Sequence, residues 1–154
     1  RTVMSTTIET HELDNLLEVE METRHEETIA PSKSVNTVAD SLPGLGIVAA
    51  VLGVVLTMGK MGEPPEVLGH SIGAALVGTF LGVLSCYGFV GPISKNMEQM
   101  AHEHAQYLNV VKVGILSFIG GAAPKVAVEF SRRVIPDSVR PSFAEMEELL
   151  RAKK

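Results

Sequence analysis

The chain has 154 residues, room for one ordinary domain, and a formal net charge of −5. That balance excludes the basic stripe of a nucleic-acid binder, and a single cysteine, Cys86, excludes an intrachain disulfide or a thiolate zinc site. The mean hydropathy is slightly positive although 20% of residues are charged, because the charge is segregated into polar ends around an apolar middle. No secretory signal is expected from these residues, since the first long apolar run begins only at Leu42, behind an acidic segment. The sequence starts with Arg1 rather than Met and opens like the inside of a helix. It therefore reads as the C-terminal part of a longer protein, or a processed one.

Residues 7–27, TIETHELDNLLEVEMETRHEE, place Ile8, Leu13, Leu16, Leu17 and Met21 near one face of a helix. The other face is acidic, but Glu18, Glu20, Glu22, Glu26 and Glu27 lack the glycine turn and alternating oxygen ligands of a calcium loop. A polar break is expected at 30–36, around Pro31. Two apolar stretches follow, Leu42–Gly59 and Val67–Pro92, and neither contains Asp, Glu, Lys or Arg. About 20 apolar residues at about 1.5 Å each cross the ~30 Å hydrocarbon core of a bilayer. The connecting loop KMGEPPE is short, so the two spans are antiparallel neighbours. Pro43 sits at the mouth of the first span, where a helix start tolerates it; if the helix already begins near Asn36, Pro43 kinks it instead. Arg24 and Lys33 precede the spans, Lys95, Lys112, Arg132, Arg133 and Arg140 follow them, and the loop holds only Lys60. This bias puts both ends in the cytoplasm.

After Pro92, Met97, Met100, His104, Leu108, Val111 and Ile115 recur at helical intervals. Residues 107–123 are apolar enough to tempt a third span, but Lys112, Asn109 and the pair Gly120–Gly121 argue against it. A charge at mid-bilayer costs at least about 2.5–3.5 kcal/mol. His102 and His104 stand two residues apart and face different sides of a helix, which makes them poor joint metal ligands. Pro124–Pro136 reads as a helix bounded by prolines, and Ser142 with Glu145 as a capping box. Arg132, Arg133 and Arg140 are expected to organise a bundle with Glu129, Glu145 and Glu147. The fold expected is an all-α membrane protein, a two-span transmembrane hairpin (37–92) with cytoplasmic helices before it (1–36) and after it (93–154).

The spans are rich in small residues. Ala74, Gly78, Gly82 and Cys86 recur at four-residue intervals, GxxxG patterns join Gly69 to Gly73 and Gly78 to Gly82, and the first span carries Gly46, Ala50 and Gly53. Such faces let helices pack closely, so Gly46, Gly53, Gly78 and Gly82 are the expected packing positions. Deep polar side chains are few: Thr79, Ser85 and Tyr87, with Thr57, His70 and Ser71 toward the loop. A lone membrane threonine ordinarily bonds its own i−4 carbonyl, the expectation for Thr79. With no carboxylate in either span, any proton-titrating group must come from elsewhere. No nucleophile–base pair, phosphate loop or metal spacing is present, so neither catalysis, a metal nor a cofactor is expected.

The runs DSLPGLGIVAAVLGVVLTMG, EPPEVLGHSIGAALVGTFLGVLSCYGFVGPIS, GAAPKVAVEFSRRVIP and RPSFAEMEELL resemble the MotA/TolQ/ExbB proton-channel family, specifically its flagellar-stator branch. VAVEFSRR and RPSFAEMEE are the most specific phrases, since the TolQ and ExbB branches are not expected to carry them. The resemblance implies the third and fourth spans of a four-span protein of the bacterial inner membrane. It implies a pentamer around MotB-like single-span subunits, whose aspartate carries the proton, and contact with the rotor protein FliG mainly through a loop this chain lacks. It further implies Thr79, Ala50 and Tyr87 along the ion pathway, with Pro43 and Pro92 as hinges at the cytoplasmic ends of the spans. Sodium-driven relatives carry a threonine where this chain has Ala50, which implies proton coupling. The alternatives are an ExbB- or TolQ-like subunit energising outer-membrane processes, a structural membrane scaffold and, more remotely, a membrane enzyme.

Overall fold

The computed structural model describes residues 9–152, all of whose regular structure is helical. In order these are α1 (Thr10–Met58), α2 (Pro65–Leu84), a π-helical segment (Ser85–Val90), α3 (Gly91–Ile119), α4 (Pro124–Val134) and α5 (Phe143–Ala152). Ile8 lies outside the described residues. The chain divides into two compact units, one formed by Glu27–Met100 and the other by the segments before Glu27 and after Met100. The helix α1 and the run Pro65–Ile119 are both long and apolar enough to cross a membrane.

The expected polar break fails. There is no break at 30–36: α1 runs through both Pro31 and Pro43. An interior proline removes one i→i−4 hydrogen bond and costs about 3 kcal/mol, so something must offset it. Serine hydroxyls on the same stretch donate elsewhere, Ser32 Oγ to the Ile29 carbonyl (2.9 Å), Ser34 Oγ to that of Ala30 (3.1 Å) and Ser41 Oγ to that of Thr37 (2.8 Å), not to the Glu27 and Ala39 carbonyls that lose the proline N–H. Tertiary burial supplies the offset. Ser32 and Ala39 are 2% and 1% exposed, and the Ser94 hydroxyl crosses from α3 to the Ser32 carbonyl at 2.9 Å.

In the Glu27–Met100 unit the core is a seam of small side chains. On α1 it steps by seven through Ser32, Ala39, Gly46 and Gly53, a heptad repeat that keeps one stripe facing a left-handed crossing partner. On the return it steps by seven from Ala75 to Gly82, continues to Cys86, then takes eight residues to reach Ser94. The extra residue is absorbed by the π-helical segment, where the Gly91 N–H reaches back five residues to the Cys86 carbonyl. Gly91 has room for this wide turn because it lacks a Cβ, which would lie 2.8 Å from that carbonyl oxygen. Pro92 follows directly and has no N–H with which to restore the α pattern. Large apolar side chains point away from the seam: Ile47, Val48, Val51, Leu76 and Phe80 are all exposed, a surface suited to lipid or to neighbouring subunits.

The other unit is built on charge and caps. Leu13, Ala101, Ala127 and Met146 are buried, and Leu17 and Met21 are half-buried, whereas Leu16 is exposed. Lys112, the residue that argues against a third span, meets Asp14 at 2.7 Å and Glu18 at 3.7 Å through its ammonium. The hydrogen bond to Asp14 raises its pKa, against the desolvation that would lower it. The helix α3 ends in a Schellman motif: the Ala122 N–H donates to the Ser117 carbonyl and the Gly121 N–H to that of Phe118, with Gly121 at φ +92°. A side chain at Gly121 would be strained, which explains why glycine stands there. The helix α4 starts on Pro124 and ends just before Pro136, as its bounding prolines suggest. At α5 the capping box forms: the Ser142 N–H donates to Glu145 Oε2 (2.7 Å) and the Glu145 N–H to Ser142 Oγ (3.2 Å).

Candidate functional site

The close approach of α1 and α2 defines the site. A Cβ on Gly46 would lie 2.8 Å from the Gly78 carbonyl oxygen, and one on Gly82 would lie 2.6 Å from that of Leu42. Gly53 meets the Ala75 side chain in the same way. Backbone therefore lies on backbone at Gly46 and Gly82, where only glycine fits, whereas a Cβ on Gly78 would press on the Ala49 side chain at 3.1 Å. Gly69 and Gly73, the other GxxxG pair, have open space where a Cβ would stand, so that pattern is not used within this chain.

At this crossing Thr79 departs from expectation. Its hydroxyl does not bond its own i−4 carbonyl but donates across the interface to the Gly46 carbonyl at 3.4 Å. The missing Cβ at Gly46 brings that carbonyl within reach. Thr57, by contrast, makes the local i−4 bond to Gly53 at 2.8 Å. In regular helix geometry the Gly46 carbonyl also accepts from the N–H of Ala50, one turn on, so Thr79 and Ala50 converge on one acceptor. Tyr87 does not join them; it sits in the π-helical segment, 73% exposed. A groove toward the loop, bounded by Ala49, Gly53, Thr57, His70, Ala74 and Gly78, takes in neither Ala50, Thr79 nor Tyr87.

Pro43 lies three residues before Gly46 inside α1, and Pro92 is the second residue of α3, just past the π-helical segment. Both stand at discontinuities in the hydrogen-bond ladder that flank the Gly46–Thr79 crossing in sequence. Ser32 and Ser94 were not singled out by the sequence. The signal was present, since Ser32 lies seven residues before Ala39 and fourteen before Gly46 on one small-residue stripe.

The arginines form a separate cluster, with one correction. Glu129 takes two hydrogen bonds from Arg132, both 2.7 Å, and one from Arg133 at 3.0 Å. These bonds, Arg132 first, lower its pKa to about 2. Glu145 and Glu147 do not pair with these arginines. Glu145 caps α5, which lowers its pKa, and Glu147 pairs with Arg151 at 2.9 Å. Arg132 also donates to the Pro141 carbonyl (3.0 Å), and Arg140 donates to those of Ile135 (2.9 Å) and Arg133 (3.1 Å) while pairing with Asp137. These bonds tie α4 to the turn that starts α5.

The arrangement has known counterparts. Residues 2–110 match the MotA/TolQ/ExbB proton channel family. The whole chain is 44% identical over 154 residues to Motility protein A of Escherichia coli K12, covering 52% of that protein. It superposes on the flagellar MotAB stator complex from Bacillus subtilis with a TM-score of 0.77 at 27% identity, over 89% of this chain and 54% of that one. The fold is also that of C. jejuni MotAB, with a TM-score of 0.79 at 20% identity over 88% of this chain and 53% of that one. The chain thus spans about half the length of the relatives it matches.

Proposed function

The chain belongs to the MotA/TolQ/ExbB proton channel family, and from that premise we propose that it is half of a flagellar-motor stator subunit, coupling proton flow to flagellar rotation. The observation that carries the reading is the extent of the match. The family match ends at residue 110, yet the likeness to Motility protein A continues to the end of the chain. It thereby takes in VAVEFSRR and RPSFAEMEE, which sets the flagellar branch apart from the ExbB and TolQ branches.

In this reading residues 37–92 form a hairpin in the bacterial inner membrane, between cytoplasmic segments 1–36 and 93–154, with both ends cytoplasmic. The spans hold no carboxylate, so the proton is carried by a partner's aspartate, from a MotB-like single-span subunit enclosed by a ring of these chains. Rotor contact with FliG falls mainly to the half of the relatives that this chain does not span. Thr79 supplies the hydroxyl on the ion path. Its bond to the Gly46 carbonyl is long and shared, so the hydroxyl can be released to water or to the partner's carboxylate. Ala50 offers a methyl where an oxygen would help hold a dehydrated sodium ion, which favours protons. Tyr87 lines the path further along. Pro43 and Pro92 turn local movement at the crossing into bending, because each interrupts the helix ladder.

The test is a chimera in which this chain replaces the matching half of E. coli Motility protein A in a strain lacking that protein. Swimming is restored, and its speed does not depend on external sodium at fixed pH and membrane potential. Pro43→Ala and Pro92→Ala insert normally but swim at less than half the wild-type speed. An immotile but correctly inserted chimera overturns the stator reading, and a sodium-dependent speed overturns the proton assignment.

A further inference from the structure

His102 finds a partner that no sequence spacing announces. The ring of His25, on α1, lies 5.1 Å from that of His102, on α3, centre to centre and tilted by 40°. His25 is half-buried, and its Nδ1 is sealed from solvent with no hydrogen-bond partner among the described residues. A buried imidazole nitrogen without a partner is an open position for a ligand. His102 is exposed, so the pair is reachable from water.

We propose that His25 and His102 form a binding site for a borderline divalent metal ion, Zn²⁺ or Cu²⁺, that clamps α1 to α3. Two imidazoles on one tetrahedral ion, with metal–nitrogen bonds of about 2.0–2.1 Å, hold their ring centres about 5 Å apart, which matches the spacing already present. The two rings are already close enough for one ion to bridge them. Imidazole suits Zn²⁺, Cu²⁺ and Ni²⁺, while Mg²⁺ and Ca²⁺ prefer oxygen. Glu22 and Glu26 on α1 and Glu103 on α3 lie on the same or adjacent turns and give the surroundings a negative charge that favours a cation. No cluster of three or more His, Cys, Asp or Glu that could hold a metal occurs among the described residues. Water therefore completes the coordination, and binding is on the order of micromolar in Kd rather than that of a closed structural zinc site.

The experiment titrates the purified full chain in detergent with Zn²⁺ alone and follows Cu²⁺ by electron paramagnetic resonance. Wild type binds Zn²⁺ and shows nitrogen hyperfine structure from two imidazoles on Cu²⁺. His25→Gln or His102→Gln each weakens Zn²⁺ binding at least tenfold and reduces the Cu²⁺ signal to one nitrogen or none. His104→Gln, on another face of α3, leaves both unchanged, and circular dichroism on every variant confirms the helical fold. Failure of wild type to bind Zn²⁺ at about 1 mM, or equal affinity in wild type and a folded His25→Gln/His102→Gln double variant, overturns the proposal.

Discussion

The two units reach helical order by opposite means. In Glu27–Met100 the helices are held by shape: Ser32, Ala39, Gly46 and Gly53 face Ala75, Gly78, Gly82 and Ser94, and the backbones come close enough for a threonine hydroxyl to reach a foreign carbonyl. In the other unit they are held by charge and caps, with Lys112 on Asp14, Glu129 on two arginines, and Ser142 with Glu145. The difference follows from the surroundings each suits. In hydrocarbon there is no hydrophobic drive between helices, so close contact between small residues must supply the attraction. In water, apolar burial supplies the drive, and ion pairs and caps settle which ends meet.

If shape holds the first unit, its glycines must differ by position. Gly82→Leu drives a side chain into the Leu42 carbonyl and should destabilise the hairpin by about 1–3 kcal/mol or more. Gly44→Ala, with nothing within 4 Å, should be neutral or stabilising by about 0.5–1 kcal/mol. Thermal unfolding in detergent, with disulfide trapping between cysteines placed on α1 and α2, reads both; equal effects would break the comparison.

The charged unit should instead respond to pH. Glu129 titrates near 2 folded and near 4.5 otherwise. A lowered folded pKa means that its contribution is complete above about 4.5 and is lost as pH falls toward 2. Glu129→Gln should lower the melting temperature at neutral pH and flatten the acid limb, without altering the hairpin's protease resistance. An unchanged acid profile would mean that the arginine cluster does not stabilise this unit. The smallest effect belongs to the cap. Ser142→Ala removes the acceptor for the Glu145 N–H and should cost about 1 kcal/mol, visible as faster hydrogen exchange in the first turn of α5.

The elements themselves were legible in the residues. The tight loop, the proline-bounded α4 and the capping box at Ser142 all rest on short-range rules of period, chain stiffness and local hydrogen bonding. Small-residue spacing marked the glycines at 46, 53, 78 and 82 as candidates, but it marked Gly69 and Gly73 equally, and those have open space within this chain. The expected break at 30–36 was not confirmed. Local propensity counts Pro31 against the helix, but cannot see that Ser32 and Ala39 are buried against a partner and that Ser94 bonds the Ser32 carbonyl.

The sequence by itself determined that this chain is helical, that its middle suits a membrane and that no carboxylate lies within the spans. Those properties belong to individual side chains and to periods along one strand of sequence. Only the tertiary structure decided which small residues touch, that Thr79 bonds Gly46 rather than its own turn, that a π-helical segment takes up the extra residue before Ser94, and that His25 meets His102. Each of these depends on the relative phase of two helices, which a residue's neighbours in sequence do not encode.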